Sequence, residues 1–462
     1  MTGRRRPRST RTLLPSLPRR VRAAALSAGA LAACLSLTAG CGTVLGATGG
    51  SGDGPPVTVM TWAPQGTGAT NKPGMPAMAL AYARWVNSHG GLAGHRLRVL
   101  TCNDHDNSVG AAACARRAVR EGAVAVVGSY SQYADSYMAP LESAGIPYIG
   151  GYGVTTAEFT SPLSYPVNGG QPALLAGLGR ALADTCGPVS LVRPDSIAGD
   201  ELPPLLDAGL KAGGHAPAAD QLAAEDATEY DGQAQRAMRH ANSGDGKATG
   251  TTGSEQAGAG KPGCVVPALG DHTNTFMDSF RRARDDAPAG PRQGSGAVRT
   301  ATVLGSVDQT VINATGGASG PYEGAYITGW YPVTSDARWD PMKKVIREEA
   351  FGDNRIDAGD AGVQTTWIAY TVLRAVLERI GSGDVTAAAV RHTLDDGLKV
   401  STGGLTPTLS WPFEGRLATI GLSRLANAEV TLQVVRDGRL VAARDDHTAT
   451  DTTAVLRSAD LG

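Results

Sequence analysis

Long apolar segments are almost absent from this 462-residue sequence. After residue 41, no stretch approaches the roughly 20 apolar residues that a transmembrane helix needs. Hydrophobic residues still make up 42% of the chain, which is ample for a large buried core. The sequence therefore predicts a folded region outside the bilayer rather than a set of spanning helices.

Motifs of common enzymes and cofactor sites are also missing. The sequence contains no GxSxG, HExxH or CxxC pattern, and its eight histidines are scattered. Gly66-Thr67-Gly68 lacks the third glycine of a dinucleotide fingerprint, and Gly260-Lys261 lacks the remainder of a phosphate-binding loop. We therefore expect no enzyme, no cofactor and no metal site. An esterase or amidase assembled from distant residues is the alternative that motifs do not address.

No acidic residue precedes Cys41, whereas eight arginines do. They lie ahead of an apolar run from Ala23 to Leu37, which is the arrangement of a signal peptide. We predict a leader over residues 1–40. Both the general secretory route and a twin-arginine route through Arg19-Arg20 are compatible with it.

Cys41 follows the small residues of Leu37-Thr38-Ala39-Gly40, and this tract resembles a bacterial lipobox. Thr38 departs from the usual leucine. The resemblance implies that Cys41 is lipidated and anchors the protein to the outer face of the cytoplasmic membrane. The alternative is an ordinary cleaved signal peptide. Residues 41–56 are rich in Gly, Ser, Thr and Pro, which is typical of a flexible linker.

The charge and the length of the chain after the leader limit its partners and its number of domains. It contains 34 basic and 43 acidic side chains, a net charge of about −9, which disfavours a nucleic-acid partner. Its roughly 420 residues exceed one typical domain and suit two lobes.

Only four cysteines remain in this part, and an even number in an exported protein suggests disulfides. Cys102 ends a predicted strand and Cys114 lies in the next helix. A bridge between them closes a short loop and stabilises the fold by about 3 kcal/mol in the chain-entropy estimate. Two buried thiols are the alternative.

Strand and helix patterns alternate through residues 57–149 and again through residues 173–330. This rhythm predicts an α/β fold with two doubly wound parallel sheets. In the strand order 2-1-3-4-5, Cys186 and Cys264 stand at the same end of neighbouring strands, so we predict a second disulfide between them. Residues 242–263 and 285–298 have the composition of surface insertions.

Residues 81–151 carry a family resemblance. Its features are a helix ending in Asn87 before Gly90-Gly91, the Cys102–Cys114 segment with its alanines, a Val-Val-Gly turn and an Ala-Gly-Ile-Pro strand entry. The stretch resembles the first lobe of type I periplasmic binding proteins, most closely the branched-chain amino-acid branch of ABC-transporter solute-binding proteins. The likeness is close over residues 57–170 and looser to 460.

The resemblance implies two lobes with a hinge, three interlobe crossings and a ligand cleft. We expect the N-terminal lobe over residues 57–168 and 332–402, and the C-terminal lobe over 169–331 and 403–445. Residues 446–462 form a tail that we expect to be frayed.

Ligands of such sheets bind beyond the carboxyl ends of the strands. In the first lobe, glycine-rich turns at these ends offer N–H groups to an anionic group. In the family, the turn after the third strand holds a ligand carboxylate, which falls here on Ser129, Tyr130 and Ser131. Helix capping is the other reading of the two serines. The remaining candidates in this lobe are Trp62, Gln65, Gly66 and Tyr152.

In the second lobe, a ligand ammonium would need an acidic partner. Asp308 lies one position from the glutamate of the branched-chain family, and Asp271 is a further candidate. Asp308 has the alternative roles of a solvated acid or a helix cap. The tyrosines that the family uses here have no match, which leaves the ligand open. Asp104-His105-Asp106-Asn107 fills a family loop and is not expected to bind metal.

These features predict a monomeric solute-binding lipoprotein that captures a small polar solute, such as an amino acid, by lobe closure. Its partners would be the permease and ATPase subunits of an ABC importer. The alternative is a ligand sensor that signals to a membrane receptor, since both roles use the same closure.

Overall fold

The computed structural model describes residues 54–68, 70–224, 227–243, 261–285, 298–303, 307–417, 419, 421–444 and 448–459. For Ile197, Ala198 and Asp271 it describes the backbone but not the side chain. The predicted leader, the lipid anchor at Cys41 and nearly all of the linker lie outside these residues. The same holds for most of the two predicted insertions.

The first sheet has five parallel strands in the order β2-β1-β3-β4-β5. The strands are β1 (Gly54–Trp62), β2 (His95–Cys102), β3 (Ala125–Val127), β4 (Tyr148–Ile149) and β5 (Ser164–Tyr165). Its connecting helices are α1 (Gly74–Ser88), α2 (Ser108–Arg120), α3 (Ala134–Ala144) and α4 (Ala157–Thr160). Val57 to Trp62 is buried without alternation, as expected for a parallel strand covered on both faces.

The second sheet repeats this order and then adds two antiparallel strands, giving β7-β6-β8-β9-β10-β11-β12. Its strands are β6 (Val189–Pro194), β7 (Ala219–Ala223), β8 (Cys264–Pro267), β9 (Arg299–Val303), β10 (Tyr326–Gly329), β11 (Glu429–Arg436) and β12 (Arg439–Ala442). The helices between them are α5 (Gly170–Thr185), α6 (Ile197–Asp200), α7 (Leu202–Ala212), α8 (Asp231–Ala241), α9 (Thr273–Asp285) and α10 (Gln309–Ala314). The predicted α/β class with two doubly wound sheets is confirmed, and the second sheet is mixed rather than purely parallel.

After β10 the chain returns to the first sheet. Helices α11 (Asp340–Glu349) and α12 (Ala361–Ile380) pack on α1, and α13 (Ala387–Asp395) packs on α12. Helix α12 also lies against β3 and β4, whereas α2 and α3 cover the other face of the sheet. Buried side chains therefore fill a layer on each face of the first sheet.

Buried polar contacts join the segments that cross between the sheets. The Asn168 amide donates to the Tyr331 hydroxyl over 3.0 Å, and that hydroxyl lies 3.0 Å from the Thr365 hydroxyl on α12. The Asn427 amide donates to the Val167 carbonyl over 3.1 Å. Because each group is out of water, each contact fixes the crossing that carries it.

The expectation of a frayed end after Asp445 is wrong for residues 448–459. They contain β13 (Thr450–Asp451), which pairs with β11, and α14 (Thr453–Ser458), which packs on α5 and α7. Leu456 is fully buried there. Segments this short show too few apolar residues for a periodic pattern, so the sequence did not reveal them.

Both predicted disulfides are present, Cys102–Cys114 and Cys186–Cys264, each with Cα atoms 5.8 Å apart. The second joins the starting ends of β6 and β8, which are neighbours as the strand order required. In the described part of the chain, no helix is both long and apolar enough to cross a bilayer.

Candidate functional site

Three loops of the first lobe meet at the carboxyl edge of its sheet. The Tyr130 amide donates to the Trp62 carbonyl over 3.0 Å, and the Tyr152 amide donates to the Ser129 carbonyl over 3.1 Å. The loops after β1, β3 and β4 are therefore joined by main-chain hydrogen bonds. This is the edge at which ligands of doubly wound sheets bind.

Helix α12 lies directly behind two of these loops, and its close approach explains why residue 128 is a glycine. Gly128 has a φ of +59°, and a Cβ on it would come within 2.8 Å of the Thr366 Cα. The Thr366 hydroxyl donates to the Gly128 carbonyl over 3.1 Å. Only glycine combines this conformation with so close an approach of the helix.

Three aromatic rings form the centre of the candidate site. The ring centroids of Tyr130 and Tyr152 are 5.0 Å apart, as are those of Tyr152 and Trp330, and both pairs meet edge to face. Trp330 follows β10 of the second sheet, and its indole N–H donates to the Gly170 carbonyl over 2.9 Å. The cluster thus joins both lobes, and T-shaped contacts of this kind favour a fixed geometry.

Lys72 also lies in the candidate site, although no sequence motif marks it. Its side chain is only 11% exposed, and its Nζ lies 5.5 Å from the centroid of the Tyr152 ring and 3.4 Å from Asp360 Oδ2. Lys72 belongs to the loop after β1 that also carries Gln65 and Gly66, and its amide donates to the Pro64 carbonyl over 2.9 Å. Its position in a predicted strand-end loop is the sequence feature that could have identified it as a candidate.

Acidic side chains from both lobes surround the Lys72 ammonium. Burial raises the pKa of Asp308, the nearby Asp360 carboxylate raises it further, and the Lys72 ammonium opposes this increase. Asp308 Oδ1 accepts the Val311 amide over 2.9 Å, so Asp308 is the N-cap of α10. The predicted acid therefore lies at the interlobe boundary while also capping a helix.

A second contact closes the same boundary. The Thr310 hydroxyl on α10 donates to the Asp357 carboxylate. Asp357 precedes α12, which packs on the first lobe, whereas α10 belongs to the second. The two lobes therefore touch beside Lys72 and Asp308.

The two predicted serines have protein partners for their hydroxyls. Both are fully buried. Ser129 Oγ accepts the Trp62 amide over 3.1 Å, and Ser131 Oγ accepts the Tyr133 amide over 3.3 Å while it also bonds Asp104. We therefore reassign both side chains to holding the loop in place, and Tyr130 between them is the residue in the aromatic cluster.

Trp62 also differs from its predicted place. Its indole is fully buried on the α2–α3 face of the sheet, with its centroid 5.2 Å from that of Tyr137 and 6.0 Å from that of Tyr148. Alternate residues of a strand point to opposite faces, and the last residue of β1 points away from Tyr130 and Tyr152. Trp62 is therefore a core residue rather than a wall of the cleft.

The remaining candidates lie in strand-end loops. The Gln65 amide donates to Asn103 Oδ1 over 3.1 Å, and the Asn103 amide group returns a bond of 2.9 Å to the Gln65 carbonyl. Gly66 is exposed, with a φ of +68°. Asp271 lies in the 3-10 turn Gly270–His272 after β8, and its side chain is outside the described part.

The acidic loop after β2 makes protein contacts in place of metal contacts among the residues that the structure describes. Asp104 and its neighbours bond to main-chain amides and to Ser131, and no cluster of three or more His, Cys, Asp or Glu side chains suited to a metal occurs in the described ranges. The chemistry available is an ammonium, carboxylates and aromatic faces, which suits binding of a small solute.

Comparisons with known proteins agree with this geometry. Residues 60–249 match the sequence family described as periplasmic binding protein. No curated protein matches the chain. Solved structures that resemble it cover most of its length at low sequence identity.

One is a solute-binding protein of an ABC transporter from Rhodopseudomonas palustris BisB5, in complex with 3,4-dihydroxybenzoic acid. It is 14% identical with a TM-score of 0.64, and the match covers 86% of this chain and 98% of that one. A fatty acid ABC transporter substrate-binding protein from Thermomonospora curvata is 13% identical with a TM-score of 0.63, covering 88% of this chain and 95% of that one.

A possible leucine/isoleucine/valine-binding protein from Rhodopirellula baltica SH 1 is 11% identical with a TM-score of 0.61, covering 86% of this chain and 98% of that one. The three proteins carry different ligand descriptions on one fold. The likeness therefore shows the two-lobe fold of type I periplasmic binding proteins, and it does not select the branched-chain branch or any other ligand.

Proposed function

We propose that this chain, which has the two-lobe fold of type I periplasmic binding proteins, is an extracytoplasmic solute-binding protein that closes on a small polar solute and delivers it to an ABC importer. One observation supports this most. Tyr152 of the first lobe contacts Trp330 of the second at the carboxyl edges of both sheets, and Lys72, which lies over the Tyr152 ring, interacts electrostatically with Asp308 of the second lobe. A solute held there contacts both lobes and so favours closure.

The charges at this boundary favour a solute that carries a carboxylate. Lys72 and Asp360 are 3.4 Å apart, which is longer than the roughly 2.9 Å of a tight charged hydrogen bond. A ligand carboxylate can therefore compete with Asp360 for the ammonium. An ammonium group on the same solute would find Asp308 opposite, so amino acids belong to this class.

The aromatic residues favour a solute with an apolar or ring-shaped body. Tyr130, Tyr152 and Trp330 offer ring faces and edges within one cluster. The names of the similar structures include an aromatic acid and a fatty acid, each of which combines a carboxylate with an apolar body. We propose a small carboxylate as the ligand class, with aromatic acids and amino acids as its first candidates.

The proposed location follows from the start of the chain. A leader over residues 1–40 and lipidation at Cys41 would keep the protein at the outer face of the cytoplasmic membrane, where a permease collects its solutes. The cysteine bridges suit this place, because disulfides persist in exported proteins.

A thermal-shift screen tests the proposal. The protein is unfolded and refolded to remove bound solute and is then heated with amino acids, short amides, benzoate, 3,4-dihydroxybenzoate and medium-chain fatty acids. We expect at least one carboxylate to raise the unfolding temperature in a saturable way. A folded protein that no compound in the screen stabilises would contradict the proposed function.

A further inference from the structure

Glu158 is a buried carboxyl group beneath the candidate site. It lies on α4, and only 1% of the residue is exposed. Its Oε2 accepts the Gly153 amide over 2.7 Å, and its Oε1 accepts the Thr155 hydroxyl over 3.1 Å. The amides of Val154 and Thr155 also point to the carboxylate. The group thus takes its partners from the loop after β4.

This loop, residues 150–155, is closely fitted to the carboxylate. A Cβ on Gly151 would overlap both the Glu158 Oε2 and the Tyr148 ring, so the main chain lies directly on these two side chains. Tyr152 is the next residue, and its ring contacts Tyr130 and Trp330. A shift of the loop would therefore displace the ring at the centre of the aromatic cluster.

The same loop also contacts the first interlobe crossing. The Gly153 carbonyl accepts the Gln171 amide over 2.8 Å, at the start of α5. The neighbouring Gly170 carbonyl accepts the indole N–H of Trp330. Glu158 is thus connected through Gly153 both to the cleft and to the segment that crosses between the two sheets.

We infer that Glu158 is a positioning residue for the ligand cleft, whose ionised carboxylate fixes residues 150–155 and so holds Tyr152 in place in response to pH. The ionised form accepts up to four donors from the loop. The protonated form turns one oxygen into a donor and a weaker acceptor, so the loop donors that face this oxygen are bonded less well. The inference relies on the proposed function only for the role of the cleft.

The pKa of Glu158 lies near neutral pH, where a small change in pH alters its charge. Burial raises its pKa to about 7, although the loop amides and the Thr155 hydroxyl hold it down. The titratable groups that face it are Tyr137 of α3 and Tyr148 of β4, and burial raises the pKa of each well above its usual value. Both phenols therefore stay neutral, and Glu158 is the group that changes charge near neutral pH.

Hydrogen exchange of the loop tests the inference without any ligand. The full chain is expressed, purified, and compared at pH 6, 7 and 8, with rates corrected for the intrinsic effect of pH. In the wild type, we expect protection of a peptide covering residues 150–160 to fall about tenfold from pH 8 to pH 6, because the loop loses a charged acceptor. Glu158→Gln should show the low protection at all three values.

Glu142→Gln is the matched control. Glu142 accepts the Ser161 hydroxyl over 2.6 Å just beyond α4, but it makes no bond to the loop, so this variant should keep the wild-type profile. Thr155→Val provides a second variant that keeps the carboxyl group. Losing a donor that holds the pKa down should move the midpoint to higher pH.

A profile in Glu158→Gln that still follows the wild type would overturn the inference. So would an unchanged midpoint in Thr155→Val. Because both readouts come from the loop itself, they stand apart from the ligand screen, and a failure of the proposed function would leave them unaffected.

Discussion

The indole of Trp330 meets the ring of Tyr152 edge to face, with centroids 5.0 Å apart and ring planes at 85°. Trp330 directly follows β10 of the second sheet, whereas Tyr152 follows β4 of the first. One aromatic contact therefore spans the boundary between the lobes. It also stands beside Lys72, whose ammonium lies over the Tyr152 ring.

Replacing the central ring should weaken ligand binding. Tyr152→Ala removes both aromatic contacts and the π face below Lys72, so we expect the Kd of a solute found in the screen to rise by about tenfold or more. Tyr152→Phe keeps the ring and should bind within a few-fold of the wild type. Titration calorimetry measures both, and equal affinities for Tyr152→Ala and the wild type would exclude this ring from the site.

Glu158 should also make stability depend on pH. Its pKa is about 7 in the fold against an ordinary 4.5, so the unfolded chain releases this proton first. The stabilisation is full below about pH 4.5 and is lost as pH rises through 7, which corresponds to about 3 kcal/mol in the free energy of unfolding. Detachment of the loop alone is a different equilibrium. In it Glu158 stays buried and loses the amides that favour its ionised form, so the loop is held more firmly at high pH although the whole fold is less stable there.

Urea unfolding at pH 5 and pH 8 measures this dependence. Asp308 and Glu429 also have raised pKa values and change stability with the same sign, so the quantity of interest is the difference between the wild type and Glu158→Gln. We expect the variant to lose most of the 3 kcal/mol change. An equally steep dependence in both proteins would show that Glu158 does not titrate in this range.

The two disulfides should differ in their effect on binding. Replacing both cysteines of the Cys186–Cys264 pair with alanine removes a long cross-link and should lower the free energy of unfolding by about 4 kcal/mol, with little change in ligand affinity. Removing Cys102–Cys114 should cost about 3 kcal/mol and also weaken binding. Cys102 precedes Asn103, which holds the Gln65 main chain in the loop after β1.

Unfolding and binding curves for the two double variants give the comparison. Ligand affinities of the two double variants are compared at a temperature where both are folded. Equal losses of affinity would mean that the bridge beside the loop after β1 has no specific link to the cleft.

The proposed lipid anchor has a simple test in fractionated cells. Cys41→Ala should move the protein from the membrane fraction to the soluble extracytoplasmic fraction, because the thiol that would carry the lipid is gone. Cys34→Ala changes a cysteine within the predicted leader and should leave the protein membrane-bound. Retention of Cys41→Ala in the membrane would refute lipidation at that residue.

Most of the fold followed from the sequence because strands buried on both faces read as short apolar runs between helices. Val57 to Trp62 and Val189 to Val192 are such runs, and the strand order that they implied placed Cys186 beside Cys264 correctly. The two-residue strand β5 and the short helices α4 and α10 were not predicted, since elements of a few residues carry no period.

The site was only partly predictable. Strand ends identified the loops that form the candidate site, but the direction of each side chain depends on register and on partners elsewhere in the chain. The hydroxyl oxygens of Ser129 and Ser131 accept main-chain amides of a distant and a neighbouring residue, respectively. The Trp62 indole lies on the α2–α3 face of the sheet, away from the aromatic cluster. Trp330 directly follows the last residue of β10, Gly329, and no sequence pattern shows that its ring reaches Tyr152 of the first lobe.

Lys72 provides the most direct test of the proposed site, because the solute carboxylate is proposed to lie at its ammonium. The measurement is titration calorimetry of the best carboxylate from the screen against the wild type, Lys72→Met and Lys344→Met. Lys344 is an exposed lysine on α11 that pairs only loosely with Glu348, so its variant changes net charge equally without touching the cleft.

We expect Lys72→Met to raise the Kd at least tenfold, since it removes a charged hydrogen bond, and we expect Lys344→Met to bind like the wild type. Wild-type affinity in a folded Lys72→Met protein would contradict the placement of the solute between the two lobes at this residue.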